Sequence, residues 1–238
     1  MSDHMKRLAA PRTWPLKRKV SVWVTKQSAG AHSIEDSMSA VTVLRDMVGA
    51  CDTAREAKRI IGNREMFVDG KAVKNPKAPV GFMDVISIPK MNLNYRMLIT
   101  DKGKLTLVPI DADEAAWEIC KIQDKTVVKG GKIQLNLSGG RNILLDKNDY
   151  KCGDSLKVAF EGQSILDHYA LAAGNTVLIK EGAHSGSIKT VKEVEIVRGS
   201  APNLVIFTDG TQTVVDNCFV IGAAQSAVKL PEASERAE

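Results

Sequence analysis

Apolar residues between positions 37 and 48 recur at spacings of three and four, which predicts a helix. A second helix is predicted to begin after Thr53, because Thr53 stands three residues before Glu56 in a capping-box arrangement. Gly62 predicts the end of that helix. The pattern therefore indicates a pair of short helices in this part of the chain.

The pattern changes from helical to extended after the second helix. Asp69-Gly70 separates two short apolar runs, which is typical of a tight β-hairpin. A further strand is predicted over residues 84–88. From residue 95 onward, short apolar runs recur about every ten residues with glycine-containing turns between them, which favours small β-rich domains over an alternating α/β sheet. The predicted strands cover residues 96–100, 105–110, 132–137, 142–145, 156–160, 177–180, 204–208 and 213–216.

One helix is predicted to interrupt these strands over residues 111–120. Asp111, Asp113 and Glu114 would occupy its first turn, where the helix dipole favours acidic side chains. This interpretation explains the acidic cluster without a catalytic role.

Charge is distributed unevenly along the 238 residues. The whole chain carries a net charge of +5, but residues 1–30 contain seven basic residues and one acidic residue. A basic arm on a nearly neutral body is typical of a protein with a polyanionic partner. No apolar run is long enough for a membrane helix, and no apolar stretch follows the basic N-terminus as in a signal peptide, so we expect a cytoplasmic protein without a membrane partner.

Two tryptophans lie in the basic arm. Trp14 and Trp23 flank a run of three cations, Lys17, Arg18 and Lys19. Cations neutralise phosphates and aromatic rings stack on unpaired bases, so this mixture suits RNA. The alternative is that the rings anchor the arm to the body, and for Trp23 anchoring is the favoured interpretation. An arm with so few acids is expected to be largely disordered alone and to fold on its partner.

Enzyme motifs are scarce in this sequence. It contains no Walker loop, no GxGxxG opening a helix, no GxSxG and no HExxH. Four widely spaced cysteines and four histidines give no metal-ligand spacing. We therefore predict no enzyme activity, no catalytic residue, no metal, no cofactor and no small-molecule substrate.

Five segments of the chain resemble those of a known family. The run from His4 to Trp14 resembles the N-terminal motif of the archaeal and eukaryotic small-subunit ribosomal protein S4e family. Residues 53–71 resemble the helix–helix–hairpin RNA-binding module of that family, and residues 81–88 its closing strand. Residues 174–186 resemble a KOW motif, and residues 217–222 the family's last strand. One departure is the acidic C-terminus, where family members often have a basic tail.

The resemblance implies a fold class of α+β, mostly β, in five parts. We expect a basic N-terminal extension, a helical and hairpin RNA-binding domain, a β-rich central domain, an SH3-like KOW barrel and an acidic flexible tail. These cover residues 1–36, 37–94, 95–171, 172–222 and 223–238, in that order. The implied function is that of a structural constituent of the small ribosomal subunit, which binds 16S-type rRNA beside other small-subunit ribosomal proteins and supports assembly and translation.

The candidate RNA-binding residues come from the resemblance and from local charge. The family pattern carries over to Lys6, Arg7, Arg12, Trp14, Arg55 and Gly186. Local clusters of cations add Lys17, Arg18, Lys19, Arg45, Lys58, Arg59, Lys71, Lys74 and Lys77. The loop over residues 180–189 of the KOW segment adds Lys180, His184 and Lys189, with protein contact or bare solvent as the alternative for that loop.

Two other functions compete with this interpretation. The helical module also occurs in rRNA pseudouridine synthases, but these need a large catalytic domain, whereas residues 95–238 are divided into short strands. A regulatory KOW protein of transcription or translation is the second alternative. The basic arm argues against it, because soluble regulators rarely need such an extension.

Overall fold

The chain folds into two units, each with its own core, in a computed structural model that describes residues 4–147 and 149–231. The first unit contains residues 1–99 and 104–118, and the second contains residues 100–103 and 119–238. Both are rich in β-strands and contain few helices, which confirms the expected α+β, mostly β class. None of the helices within the described residues is long and apolar enough to cross a membrane.

The first unit combines a short helical region with three antiparallel sheets. Its strands are β1 (Met5–Lys6), β2 (Trp23–Val24), β3 (Ser37–Ser39), β4 (Phe67–Val68), β5 (Lys71–Ala72), β6 (Pro79–Gly81), β7 (Val85–Ile88), β8 (Leu93–Ile99) and β9 (Leu105–Pro109). Its helices are α1 (Ala40–Thr42), which continues into a π-helical turn (Val43–Met47), and α2 (Ala54–Gly62). β1 pairs with β2, β3 pairs with β6, and the third sheet has the order β5-β4-β7-β8-β9.

The second unit contains two five-stranded sheets. Its strands are β10 (Trp117–Val127, beginning in the first unit), β11 (Ile133–Leu137), β12 (Asn142–Leu145), β13 (Ser155–Ala159), β14 (Ile165–Tyr169), β15 (Thr176–Ile179), β16 (Ile188–Glu195), β17 (Leu204–Phe207), β18 (Gln212–Val214) and β19 (Cys218–Gly222). The central sheet has the order β12-β11-β10-β13-β14. The C-terminal sheet has the order β18-β17-β16-β15-β19.

Short 3₁₀ turns occur in both units and cover Arg7–Ala9, Pro89–Met91, Glu114–Ala116, Ser138–Gly140 and Val215–Asn217.

Each sheet of the second unit has a separate apolar cluster. Leu135, Leu156 and Val158 are buried in the central cluster, and Val205 and Phe207 in the C-terminal one. Each sheet covers its own small apolar cluster, so short strands are sufficient and no large aromatic core is needed.

Lys121 links the central sheet to the C-terminal sheet of the second unit. Its ammonium group on β10 donates hydrogen bonds to the carbonyl oxygens of Val215 and Asp216, at 2.8 and 2.9 Å. Burial lowers the pKa of Lys121, while the nearby Cys218 and Asp216 act in the opposite direction. Nothing in the local sequence distinguishes this residue from a solvated lysine.

Two predicted helices differ from the observed elements. The first predicted helix, over residues 37–48, begins as strand β3 and becomes helical only at Ala40, because Ser37–Ser39 pair with β6. The helix predicted over residues 111–120 is wrong: only Glu114–Ala116 form a 3₁₀ turn, and the chain then enters the 11-residue strand β10. Pairing of β10 with neighbouring strands outweighs the local preference of the acidic cluster for a helix start.

The described part of the N-terminal arm makes specific contacts with its own backbone and with the body, unlike the largely disordered arm expected from its charge. Trp14 is only 2% exposed. The backbone N–H of Leu105 donates to the carbonyl of Thr13 at 2.8 Å, which ties the arm to β9. The arm is therefore built into the first unit.

The predicted flexible tail divides into two parts. Ala223 accepts a hydrogen bond from the backbone N–H of Thr176 at 2.9 Å, and Val228 is 4% exposed, so the beginning of the predicted tail packs on the C-terminal sheet. Residues 232–238, which hold its acidic end, lie outside the described residues.

Candidate nucleic-acid interface

A basic groove with a volume of about 730 Å³ opens on the first unit. We call it the Trp23 groove. Strands β1 and β2, the π-helical turn, the start of α2 and the loop between β5 and β6 contribute to it. Its lining residues are His4, Met5, Trp23, Val24, Thr25, Lys26, Arg45, Ala54, Lys58, Asn75, Pro76 and Lys77. Four of them are cations and, within the described residues, none is acidic. The groove therefore has a positive lining, as a phosphate-bearing ligand requires.

One side of the Trp23 groove is formed by the short ribbon of β1 and β2. Met5 is paired with Val24 and Lys6 with Trp23 in antiparallel register. The backbone N–H of Arg7 extends the ribbon by donating to the carbonyl of Val22 at 2.9 Å. The ribbon presents the Trp23 ring, which is 57% exposed, and its edge-on neighbour His4 at a centroid distance of 5.9 Å.

A second side is formed by the loop that carries Lys77. Ser28 donates to the Lys77 carbonyl from its backbone N–H at 2.8 Å and from its hydroxyl at 3.0 Å. The side-chain amide of Asn75 donates to the Ser28 hydroxyl at 3.2 Å. These bonds connect the arm to the loop, so the two sides of the groove are positioned relative to each other.

Helix α2 places Lys58 at the groove. Its first turn has the predicted capping box: the Thr53 hydroxyl accepts from the Glu56 N–H at 3.3 Å, and the Glu56 carboxylate accepts from the Thr53 N–H at 3.2 Å. Hydrogen bonds from the backbone of Thr53 and Asp52 lower the pKa of Glu56. Ala57 and Ile61 are buried, so the orientation of the helix and of its basic side chains is determined by packing.

Arg45 lines the groove from the π-helical turn with part of its charge compensated. Its guanidinium donates to both carboxylate oxygens of Asp46, at 3.0 and 2.7 Å. This hydrogen bonding raises the pKa of Arg45 above its ordinary value. Within the described part of the chain, Lys58 on α2 and Lys77 on the loop form no ion pair with a carboxylate, so they are the stronger candidates for phosphate contact.

The structure gives three predicted RNA-binding residues of the arm an internal role. The guanidinium of Arg18 donates to the carbonyl oxygens of Ala10 and Pro11 at 2.6 and 2.7 Å. Arg7 is 7% exposed and donates from Nε to the Lys17 carbonyl at 2.6 Å. Trp14 is buried and cannot stack on a base in this conformation.

The remaining predicted RNA-binding cations of the first unit lie at its surface. Eight predicted residues are exposed and do not line the Trp23 groove: Lys6, Arg12, Lys17, Lys19, Arg55, Arg59, Lys71 and Lys74. They remain accessible to a polyanion, but the structure does not bring them to one cavity. Arg45, Lys58 and Lys77 are the predicted residues that the groove does bring together.

The predicted residues of the second unit have different environments. Lys180 forms an ion pair with Glu181 at 3.4 Å, and His184 is exposed. The ammonium group of Lys189 donates to the Thr211 hydroxyl at 2.7 Å and lies 5.9 Å from the centre of the Phe207 ring. Gly186 is buried against the backbone of Thr100 and Asp101, so packing explains the glycine there.

The sequence pattern did not predict Trp23, His4 and Lys26 as lining residues. It favoured anchoring for Trp23 and included Trp14 among the binding residues, whereas the structure buries Trp14 and exposes Trp23. The register of β1 and β2 was the missing information, because both tryptophans stand among cations in the sequence.

One acidic cluster in the first unit has the composition of a cation site but is already neutralised. Carboxylate oxygens of Asp69, Asp84 and Glu118 lie within 4.8 Å of one another. His32 contacts Asp84 at 2.7 Å, and the buried Arg96 interacts electrostatically with Glu118 and Asp69. The arrangement is therefore a buried charge network of structural importance.

Arg96 is held in that network by its hydrogen bonds and by an aromatic ring. Its Nη2 donates to the carbonyl oxygens of Glu114 and Trp117, each at 2.9 Å, and its guanidinium lies 4.4 Å from the Trp117 ring centre. Burial lowers the pKa of Arg96, and the nearby carboxylates oppose that effect.

Comparison with known proteins agrees with the motifs. A family model described as Ribosomal family S4e matches residues 91–165, and a model described as RS4NT (NUC023) domain matches residues 1–35. The small ribosomal subunit protein eS4 of Methanocella arvoryzae is 46% identical over 230 residues, which cover 95% of this chain and 97% of the relative. The chain belongs to the ribosomal S4e family.

Other members of the S4e family give the same result. The small ribosomal subunit protein eS4 of Methanothermobacter thermautotrophicus is 41% identical, with 96% of each chain covered. A crystal structure of the 30S ribosomal protein S4e from Thermoplasma acidophilum has a TM-score of 0.70 at 33% identity, covering 79% of this chain and 96% of that one. These relatives are ribosomal proteins, which confirms the family resemblance and the prediction that the chain is not an enzyme.

Proposed function

We propose that this protein is a structural constituent of the small ribosomal subunit, located in the cytoplasm, which binds 16S-type rRNA and contacts neighbouring small-subunit proteins. Its membership of the S4e family supports the assignment to the small subunit. The Trp23 groove is the single observation that carries the RNA-binding part, because it joins four cations from four segments around an exposed aromatic ring.

The proposed mechanism is electrostatic at long range and shape-dependent at contact. Lys58 and Lys77 neutralise backbone phosphates and release counterions, which gives an affinity that falls steeply with salt. Duplex RNA exposes its base edges poorly, so the protein recognises backbone shape and unpaired bases. Exposed cations such as Arg55 and Arg59 extend the contact beyond the groove.

The second unit has a smaller part in this proposal. We assign its C-terminal sheet, with the Gly182–Ser187 loop, to the KOW type that the sequence resembles. His184 is the exposed member of the predicted set there, whereas Gly186 and Lys189 are engaged within the unit. We expect this unit to add a local contact with rRNA or with a neighbouring protein and to support assembly.

The test is binding of the full chain to 16S-type rRNA as a function of salt. The double variant Lys58→Glu with Lys77→Glu should bind more weakly, and the slope of log K against log salt should become shallower by roughly 1–2. The control is Lys129→Glu with Lys147→Glu, an equal charge change at exposed positions of the second unit. Equal losses in both double variants would show that only total charge matters and would reject the groove as the binding surface.

A further inference from the structure

We infer that the Trp23 groove holds one unpaired nucleotide of the RNA, with its base stacked on the Trp23 ring and its phosphates against Lys58 and Lys77. This inference rests on the proposed RNA-binding function and specifies which part of the RNA enters the site.

The exposure of Trp23 is the first observation behind it. The three tryptophans of the chain differ sharply: Trp14 is 2% exposed and Trp117 is 9% exposed, whereas Trp23 is 57% exposed. A large aromatic ring left in water loses the stabilisation that burial gives to the other two. Its position in a paired strand, opposite Lys6, holds the ring at the surface.

The geometry of the neighbouring ring is the second observation. His4 meets Trp23 at an interplanar angle of 64°, so it approaches edge-on and is not stacked in parallel on the indole. Together with the 57% exposure of the Trp23 ring, this leaves room for a planar base to stack on it, which is the arrangement that aromatic side chains form with unpaired bases.

The charge around the ring distinguishes a nucleotide from an apolar group. Lys26, Lys58 and Lys77 line the same groove, and the first residue of the nine-residue helix α2, Ala54, lies there as well. An apolar protein segment would gain nothing from these cations, whereas each phosphate next to a stacked base would be neutralised.

The size of the groove favours a single nucleotide over a duplex. Its volume of about 730 Å³ lies within the roughly 300–1,000 Å³ of clefts that hold a molecule of that scale. A base within a duplex is stacked on both faces by its neighbours, so its face cannot reach Trp23 unless it leaves the helix.

The site should accept more than one base. The side-chain oxygen of Asn75 accepts from the backbone N–H of Lys77 at 2.9 Å, and its side-chain amide donates to the Ser28 hydroxyl. Both polar ends of the Asn75 side chain are therefore engaged within the protein and do not select a base edge. Stacking by itself discriminates weakly between bases.

The experiment uses the full chain with two RNA probes, an oligouridylate single strand and a blunt-ended duplex of the same length. Three variants are compared with the natural chain: Trp23→Ala, Trp23→Phe and, as a control at another exposed apolar position of the arm, Val20→Ala. Binding is measured by titration, and tryptophan fluorescence is recorded in parallel, since a stacked base quenches the exposed indole.

We expect Trp23→Ala to weaken single-strand binding by about 5- to 150-fold, the range for losing one stacked base. Trp23→Phe should retain most of the affinity, Val20→Ala should bind normally, and the affinity for the duplex should be unchanged in all three. The single strand should quench the fluorescence of the natural chain, and this quenching should be absent in Trp23→Ala.

The inference is overturned if Trp23→Ala binds the single strand normally or loses affinity for both probes equally. If Trp23→Ala overturns the inference but the double variant Lys58→Glu with Lys77→Glu still loses rRNA binding, the proposed function is retained. Normal rRNA binding by that double variant would instead reject the groove itself, so the two failures are distinguishable.

Discussion

Gly186 packs directly against the backbone of Thr100, with a φ of +78°. A Cβ atom at this position would overlap the carbonyl group of Thr100 and the amide nitrogen of Asp101. Within the second unit, the glycine therefore permits a close approach between two backbone segments as well as a left-handed conformation. The family-based expectation that Gly186 serves RNA contact has a structural alternative in this packing.

Substitution of Gly186 by alanine should destabilise the second unit by about 2–4 kcal/mol, since left-handed strain and backbone overlap act together. Gly174→Ala is the matched control, because Gly174 has a φ of +88° but nothing within 4 Å of the added atom. It should cost only the strain, about 1–2 kcal/mol. Urea unfolding measures both, and equal losses would remove the packing explanation.

The stability of the first unit should depend on pH through His32. Burial alone lowers the pKa of His32, but Asp84, at 2.7 Å from Nε2, outweighs it with the help of Asp36 and Glu118, and the pKa is raised. A raised folded-state pKa means that the imidazolium contributes stability below the unfolded value of about 6.5 and loses it as pH rises through the folded-state pKa.

The comparison for this prediction is the variant His32→Asn. The free energy of unfolding of the natural chain should exceed that of the variant most at pH 5.5, and the difference should shrink towards pH 8.5. A difference that grows with pH would mean that the neutral imidazole is the stabilising form.

Arg18 should be required for order in the arm. Its guanidinium satisfies the carbonyl oxygens of Leu8, Ala10 and Pro11, so Arg18→Ala removes several charge-assisted hydrogen bonds, each worth about 1.5–3 kcal/mol where water is excluded and less here because the side chain is half-buried. The rate at which trypsin cleaves within residues 6–26 in limited digestion should be higher in Arg18→Ala than in the natural chain. The exposed neighbour Lys19 provides the control variant, Lys19→Ala, which should gain no new site of cleavage.

The cysteines should differ widely in reactivity. Burial raises the pKa of Cys218 to about 11, with Lys121 acting in the opposite direction and Asp216 in the same one. At pH 8 about one thiol in a thousand would be ionised, and the side chain is 1% exposed. Cys152 is exposed, so iodoacetamide should label it first in the native chain. Labelling of Cys218 at the same rate would show that the edge of the C-terminal sheet opens readily.

Features decided within a few residues were predictable from the sequence. Thr53 and Glu56 form the capping box because both partners lie in one helical turn. Asp69 and Gly70 form the hairpin turn, with φ values of +50° and +73°, because both residue types tolerate left-handed backbone. These interactions involve few distant atoms, so sequence patterns represent them well.

Features decided by distant partners were not predictable in the same way. Residues 117–120 were expected to be helical, but they form the start of β10, whose neighbours in the sheet, β11 and β13, come from later in the chain. The burial of Trp14 and the exposure of Trp23 were not predicted, for a similar reason. Trp14 is buried where the arm is bonded to β9, and Trp23 is exposed on the strand that pairs with β1. Both environments depend on contacts between segments that are distant in the sequence.

The sequence by itself determined the family, the largely β class, the concentration of positive charge in the first hundred residues and the local turns and caps. Only the tertiary structure decided which cations line a common groove, which arginines are consumed by backbone carbonyls, and which tryptophan remains open to a ligand. The physical reason is that charge and turn preference belong to single residues and short segments, whereas accessibility depends on atoms brought together from distant parts of the chain.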